Sequence, residues 1–121
     1  MAVSILWYDL ETFGRNPRHD RIAQCAFIRT NIALEEIAQP IVLYCKLPQD
    51  YLPDPEACYI HGITPQVVEA TGLSEYEFSL QIQREMSVPG STVTGYNSIQ
   101  FDDEFIRYLF YRNLLDPYSR E

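Results

Sequence analysis

The chain has 121 residues, 46% of them apolar and 13% aromatic, which supports one packed domain at most and excludes an intrinsically disordered segment. Seventeen acidic residues against nine Lys and Arg give a net charge of −8, which excludes a broad basic footprint for nucleic acid. No apolar run approaches the roughly 20 residues of a membrane span, and no basic region precedes an apolar run and small-residue cleavage site, so neither a membrane partner nor a signal peptide is expected.

Residues 3–11, VSILWYDLE, are rich in β-branched and aromatic side chains and predict a first strand. A Gly14–Pro17 loop leads into a second predicted strand over 21–31, and a third is centred on Ile41 to Lys46. Turn-prone residues between these runs favour antiparallel neighbours. Residues 48–62 hold three of the eight prolines and read as an irregular connection. Thr64, Pro65 and Gly72 supply the cap, first position and end of a helix. Ser74 and Glu77 form a capping box for another, whose Phe78, Ile82 and Met86 share one face. Pro89–Gly90 is a turn, residues 91–97 a short strand, and 98–115 a strongly apolar last helix. The order of three strands, two helices, a strand and a helix lacks a further strand–helix repeat, so the α/β layer is expected to be incomplete. Cys25, Cys45 and Cys58 have no disulfide-framework spacing and read as reduced thiols, as in the cytoplasm. Cys58 and His61 form a lone C-x-x-H, half of the four ligands that a structural zinc needs.

Strand alternation places Asp9 and Glu11 on one face, with Ile5 and Trp7, about 7 Å apart along the chain. Two carboxylates cannot neutralise each other, whereas Mg²⁺ is held by one or two carboxylates plus phosphate oxygens and water. Phosphodiester cleavage often uses two such ions, one to activate water and one to stabilise the leaving oxygen. On these two residues alone, surface acids at a frayed strand end explain the pattern better. The second acidic run, FDDEF at 101–105, changes the balance. Asp103 sits four residues before Arg107 and can form an ordinary surface pair, and acids also suit a first helical turn. Asp102 lies on the stripe of Ile106 and Leu109, so it points inward and needs a partner. Acids gathered around cations would also make the negative net charge compatible with a phosphate-handling site.

YDLETFG at 8–14 and GYNSIQFDDEF at 95–105 resemble the first two motifs of the DEDD superfamily of 3′→5′ exonucleases, with IHGIT at 60–64 similar to its helix-entry segment. DLETFGRNPRHDRIAQCAFIRT, YCKLPQDYLP, GITPQ and FDDEFIRYLFYRN resemble one branch in particular, the bacterial exonuclease I enzymes, from about residue 5 to the end. The resemblance implies an α/β, ribonuclease H-like mixed sheet, three strands antiparallel and the strand at 91–96 parallel to the first. It implies Asp9, Glu11 and Asp102 as catalytic metal ligands, two Mg²⁺ ions with Mn²⁺ able to substitute, and Glu11, Thr12 and Phe13 around the terminal nucleotide. The implied activity is exodeoxyribonuclease I: hydrolysis of single-stranded DNA from the 3′ end to nucleoside 5′-monophosphates, in repair and recombination. The implied partners are single-stranded DNA and single-stranded-DNA-binding protein. Phe13 and Tyr96 are the candidates for stacking on bases.

The superfamily's third motif, H-x-A-x-x-D, has no match after Asp102, and both histidines, His19 and His61, lie upstream. Residues 1–121 are therefore expected to be the N-terminal part of such an exonuclease domain, inactive or weakly active alone. The resemblance gives His61, at the helix entry, a local packing or hydrogen-bonding role. A 3′→5′ exoribonuclease and a non-catalytic DNA- or partner-binding module are the alternatives.

Overall fold

The computed structural model describes residues 3–95 and 99–118, with the backbone alone for 99 and 100. The elements in order are β1 (Ser4–Thr12), β2 (Ile22–Thr30), β3 (Ile41–Tyr44), α1 (Pro55–His61), α2 (Pro65–Thr71), α3 (Glu75–Met86), β4 (Ser91–Gly95) and α4 (Ile99–Arg112). One sheet has the order β3-β2-β1-β4. β1 pairs antiparallel with β2, β2 antiparallel with β3, and β1 parallel with β4. This is the mixed sheet expected from the sequence. Tyr96, named as a stacking candidate, and the end of the predicted fourth strand lie outside the described residues.

Strand alternation builds the core. Leu6, Tyr8 and Leu10 of β1 are buried, and Phe78, Ile82 and Met86 of α3 join Phe105, Ile106, Leu109 and Phe110 of α4 in the same cluster. Each fully buried Phe, Ile or Leu stabilises the fold by roughly 1.5–3 kcal/mol. The intervening residues of β1, Ile5, Trp7, Asp9 and Glu11, are only half-buried on the opposite face. A smaller cluster of Phe13, Ala23, Ile63 and Val68 joins the far end of β1 to the segment around α1 and α2.

The stretch 48–62 is not wholly irregular. Asp54 accepts the Glu56 amide as N-cap at 3.0 Å, Pro55 starts α1, and Gly62, in the left-handed region at φ 71°, closes it. The helix buries no residue completely, so it leaves no apolar periodicity to read; its only sequence signals are its caps.

Glu75, at the start of α3, binds three segments together. It accepts Arg21 Nη1 at 2.9 and 3.1 Å, Arg112 Nη2 at 3.1 Å and Nε at 3.3 Å, and Asn113 Nδ2 at 3.1 Å. Burial alone would raise its pKa, but Arg112 and then Arg21 outweigh burial and hold the carboxyl below its ordinary 4.5. A depressed carboxyl stabilises the fold above its unfolded value and loses that contribution as pH falls through the folded one. Glu75→Gln should therefore cost roughly 2–3 kcal/mol at pH 7, where two half-buried guanidinium groups lose their counter-charge. It should also remove this group's share of acid destabilisation below pH 4.5. Thermal unfolding of both proteins between pH 7 and 3 checks both effects.

Candidate active site

The site lies at the C-terminal end of β1. Among the described residues, β4 pairs with β1 from Ser4↔Ser91 to Tyr8↔Gly95. Asp9 and Glu11 follow on β1, where β2 continues to pair with it. The Asp102 carboxylate, from the first turn of α4, accepts the Leu10 backbone N–H.

Asp102 is 4% exposed, and its Oδ2 has no hydrogen-bond partner. It lies inward with Ile106 and Leu109, both 0% exposed, as its helical spacing predicts. Burial and then the charge of Asp9 push Asp102 up to about 6; the Leu10 hydrogen bond opposes this and Glu11 adds to it. Burial and then Asp9 also raise Glu11, which a protonated His61 would pull back. The Cys25 thiol, paired opposite Leu10, is raised by burial, then by Asp102 and Asp9. Asp9, Glu11 and Asp102 therefore share one field of uncompensated negative charge. Asp103 and Glu104 do not belong to it: Arg107 meets them at 3.2 and 3.7 Å.

An orphaned carboxylate oxygen among carboxylates fits a hard divalent cation, which binds oxygen ligands. Among the described residues, no three His, Cys, Asp or Glu side chains converge closely enough to enclose such an ion as they stand. Asp9, Glu11 and Asp102 are coupled electrostatically without yet forming a coordination shell.

The register of β1 on β2 shifts between Glu11 and Thr12, where Gln24 is followed by Ile22 as partner and Ala23 is the extra residue. Bulges of this kind re-aim side chains near sites. Here Phe13 turns fully into the smaller core cluster, at 0% exposure. The ring cannot stack on a base in this arrangement, which corrects the reading of Phe13 as a stacking platform. Its carbonyl accepts the Asp54 amide at 2.8 Å and its amide donates to the Arg21 carbonyl at 2.9 Å. Thr12 and Glu11 do face a cavity of about 190 Å³, walled opposite by Ala57, Ile60 and His61 of α1 and bordered by Phe101. Sequence reasoning missed the α1 wall because it missed the helix. Gly14 keeps the turn narrow, since a Cβ there would collide with the Asp20 carboxylate. Asp20 in turn accepts the Asn16 amide at 2.9 Å and the Tyr51 hydroxyl at 2.8 Å.

A larger cavity, about 440 Å³, lies along α4 between Arg18, Tyr108, Tyr111 and Tyr118. It contains none of the coupled acids, and its Arg107 and Arg112 are engaged with Asp103 and Glu75. The smaller cavity is the one next to the chemistry.

A mixed sheet in this order, with acids on the end of its first strand and in the first turn of the helix after its fourth, defines the ribonuclease H-like class. Comparison with known proteins narrows the class. The chain belongs to the exonuclease family, whose model, described as Exonuclease, matches residues 6–121. It is 52% identical over 116 residues to Exodeoxyribonuclease I of Haemophilus influenzae, covering 96% of this chain and 24% of that protein. It superimposes on Exonuclease I from Methylocaldum szegediense with TM-score 0.96 at 55% identity, covering 99% of this chain and 26% of that one. A structure described as an ExoI/SSB-Ct complex gives TM-score 0.97 at 45% identity, covering 100% and 26%. The chain thus spans about a quarter of the length of these relatives. The family generally uses divalent metal ions. Among the described residues, no helix is long and apolar enough to cross a membrane, and all three cysteines are free.

An acid whose folded pKa exceeds its unfolded value destabilises the fold when ionised; the penalty is full above the folded value and disappears as pH falls toward the unfolded one. For Asp102 that window runs from about 6 down to 3.8. Asp102→Asn should therefore stabilise the cation-free chain at pH 7.5 by on the order of 1–3 kcal/mol. The gain should shrink to nothing near pH 4, as measured by chemical denaturation at the two pH values.

Proposed function

We propose that this chain supplies the first two acidic motifs of an exodeoxyribonuclease I, which removes nucleoside 5′-monophosphates from the 3′ end of single-stranded DNA. The observation that carries the reading is the buried, partnerless oxygen of Asp102, coupled through its charge to Asp9 and Glu11. In this reading Asp9, Glu11 and Asp102 hold divalent cations, two Mg²⁺ in the complete enzyme, with Mn²⁺ able to substitute. When bound, the cation neutralises charge on the scissile phosphate and activates water.

The chain's own residues do the rest. Glu11 and Thr12, with the backbone of Phe13, receive the terminal nucleotide in the cavity facing α1. Asp102 is 4% exposed, on the same helix as the buried Phe105 and Ile106, and a dry carboxylate holds a cation more strongly than a solvated one. No residue here takes the role of the histidine base in the superfamily's third motif. General acid–base assistance is worth about 10²- to 10⁴-fold, so residues 1–121, as the N-terminal part of the domain, should turn over slowly on their own. Single-stranded DNA and single-stranded-DNA-binding protein are the partners, and the cytoplasm is the location; the relatives named Exodeoxyribonuclease I and the ExoI/SSB-Ct complex support the first two.

The test is digestion of 5′-labelled single strands by the full-length protein in Mg²⁺. A ladder shortening from the 3′ end is expected, and Asp9→Ala should slow it by about 10²-fold or more, since losing even a residue that only supports a metal ligand costs about 10- to 100-fold. Undiminished cutting by Asp9→Ala overturns the assignment. A matched RNA strand cut equally well would move the substrate to RNA, and strands retained in a gel shift but never shortened would make the protein a binding module.

A further inference from the structure

His61 is the described histidine nearest the coupled acids, and it is not placed as a base. Its Nδ1 accepts the Ile63 amide N–H at 3.0 Å. A nitrogen that accepts an amide proton carries none, so the ring is neutral and its proton is on Nε2. That Nε2 lies 2.9 Å from the Thr12 carbonyl oxygen and donates to it. The ring also stands edge-on to Phe13, with centroids 5.9 Å apart and planes at 77°. Both nitrogens are therefore committed, one to the turn after α1 and the other to the end of β1, 49 residues away in sequence.

We propose that His61 is a positioning residue for the terminal-nucleotide pocket: its neutral, Nε2-protonated imidazole holds the Thr12 carbonyl and fixes the distance between β1 and the α1 wall. This rests on the reading of the cavity as that pocket. The consequence is geometric. Thr12 Oγ1 donates to the Gly14 carbonyl at 2.7 Å, so the residue is held on both its carbonyl and its hydroxyl. Glu11, one residue earlier, inherits its orientation from this anchor. Without the imidazole, Thr12 loses its link to α1; the Phe13 carbonyl with the Asp54 amide, the exposed Arg15–Glu56 pair at 3.9 Å and the packing of Cys58 on the Phe13 cluster remain, and none of them holds Thr12. Small misplacements of such walls weaken binding even where no contact to ligand is removed.

Two substitutions divide the ring's functions. Glutamine places an amide N–H₂ near the Nε2 position and keeps the donation to Thr12. Asparagine places its oxygen near Nδ1 and keeps only the acceptor for Ile63. The experiment uses the full-length protein and thymidine 5′-monophosphate with saturating Mg²⁺. The ring ¹⁵N pattern of His61, assigned by its disappearance in His61→Gln, should show the Nε2–H tautomer at pH 7.5. Affinity for the nucleotide should fall about 5- to 10-fold in His61→Asn, the scale of one lost hydrogen bond. It should stay within about twofold of wild type in His61→Gln.

A ring protonated on Nδ1 or on both nitrogens overturns the proposal, as does equal binding by wild type, Gln and Asn variants. A full-length wild-type protein that does not bind the nucleotide at all, while showing the Nε2–H tautomer, overturns the reading of the pocket and with it the positioning role. If the Asn variant fails to fold, the tautomer and the Gln affinity decide: a Gln variant bound more than fivefold more weakly overturns the role.

Discussion

The unbalanced charge of Asp102 is the constraint on which the site depends. Its carboxylate stands at the start of α4, 4% exposed, with one oxygen that has no hydrogen-bond partner. Burying a carboxylate is costly unless it is paired. Burial and the charge of Asp9, then Glu11, weaken it as an acid, and the Leu10 backbone offsets only part of this. Ile106 and Leu109 of the same helix are buried in the main core, so the packing of α4 fixes where Asp102 stands. Asp9 and Glu11 come from the half-buried face of β1. Two elements packed for apolar reasons thus bring three like charges into one field.

A second device acts at the very end of the same strand. One extra residue in β2, Ala23, changes which side of β1 faces the interior. Up to Glu11 the pattern is a regular alternation; past it, Phe13 is buried in a different cluster and its backbone is tied to Arg21, Asp54 and Tyr51. The strand thus passes from sheet to loop without becoming loose. α1, exposed along most of its length, is held to that loop by backbone and imidazole contacts more than by apolar burial. A short helix with no fully buried residue has little stability of its own. Its position depends on the loop as much as the loop depends on it.

These two devices also explain what was legible in the sequence. The strands, α3 and the inward stripe of α4 follow from period-2 and period-3.6 burial, so Leu6, Tyr8, Phe78, Ile82 and even the buried Asp102 could be read from spacing. The family motifs then grouped Asp9, Glu11 and Asp102. What could not be read arises from single events that break a period. A bulge lies in the partner strand, so nothing in residues 8–14 signals that Phe13 turns inward. α1 has no apolar face, and only Asp54, Pro55 and Gly62 mark it. Glu75 carries no sequence signal of its own beyond its place in the first turn of α3. Its partners Arg21, Arg112 and Asn113 lie 37 to 54 residues away, a separation local pattern cannot bridge.

Glu75 and Asp102 are the comparison that gives the acids of this fold their meaning. Both are partly or wholly buried carboxylates in the first turns of helices packed on the same core. Glu75 collects two guanidinium groups and an amide, and its acidity increases despite burial. Asp102 receives one backbone amide, faces two further carboxylates, and becomes a weaker acid. A protein able to surround one buried acid with arginines could have done so for the other; Arg107, one turn along α4, instead engages Asp103 and Glu104. The charge of Asp102 is left unbalanced by the chain itself, at the one place where Asp9 and Glu11 add to it. Perturbed acids of this kind concentrate at working sites because the missing charge is supplied from outside. Glu75 is the acid that holds the fold together, and Asp102 is the acid that the fold holds ready.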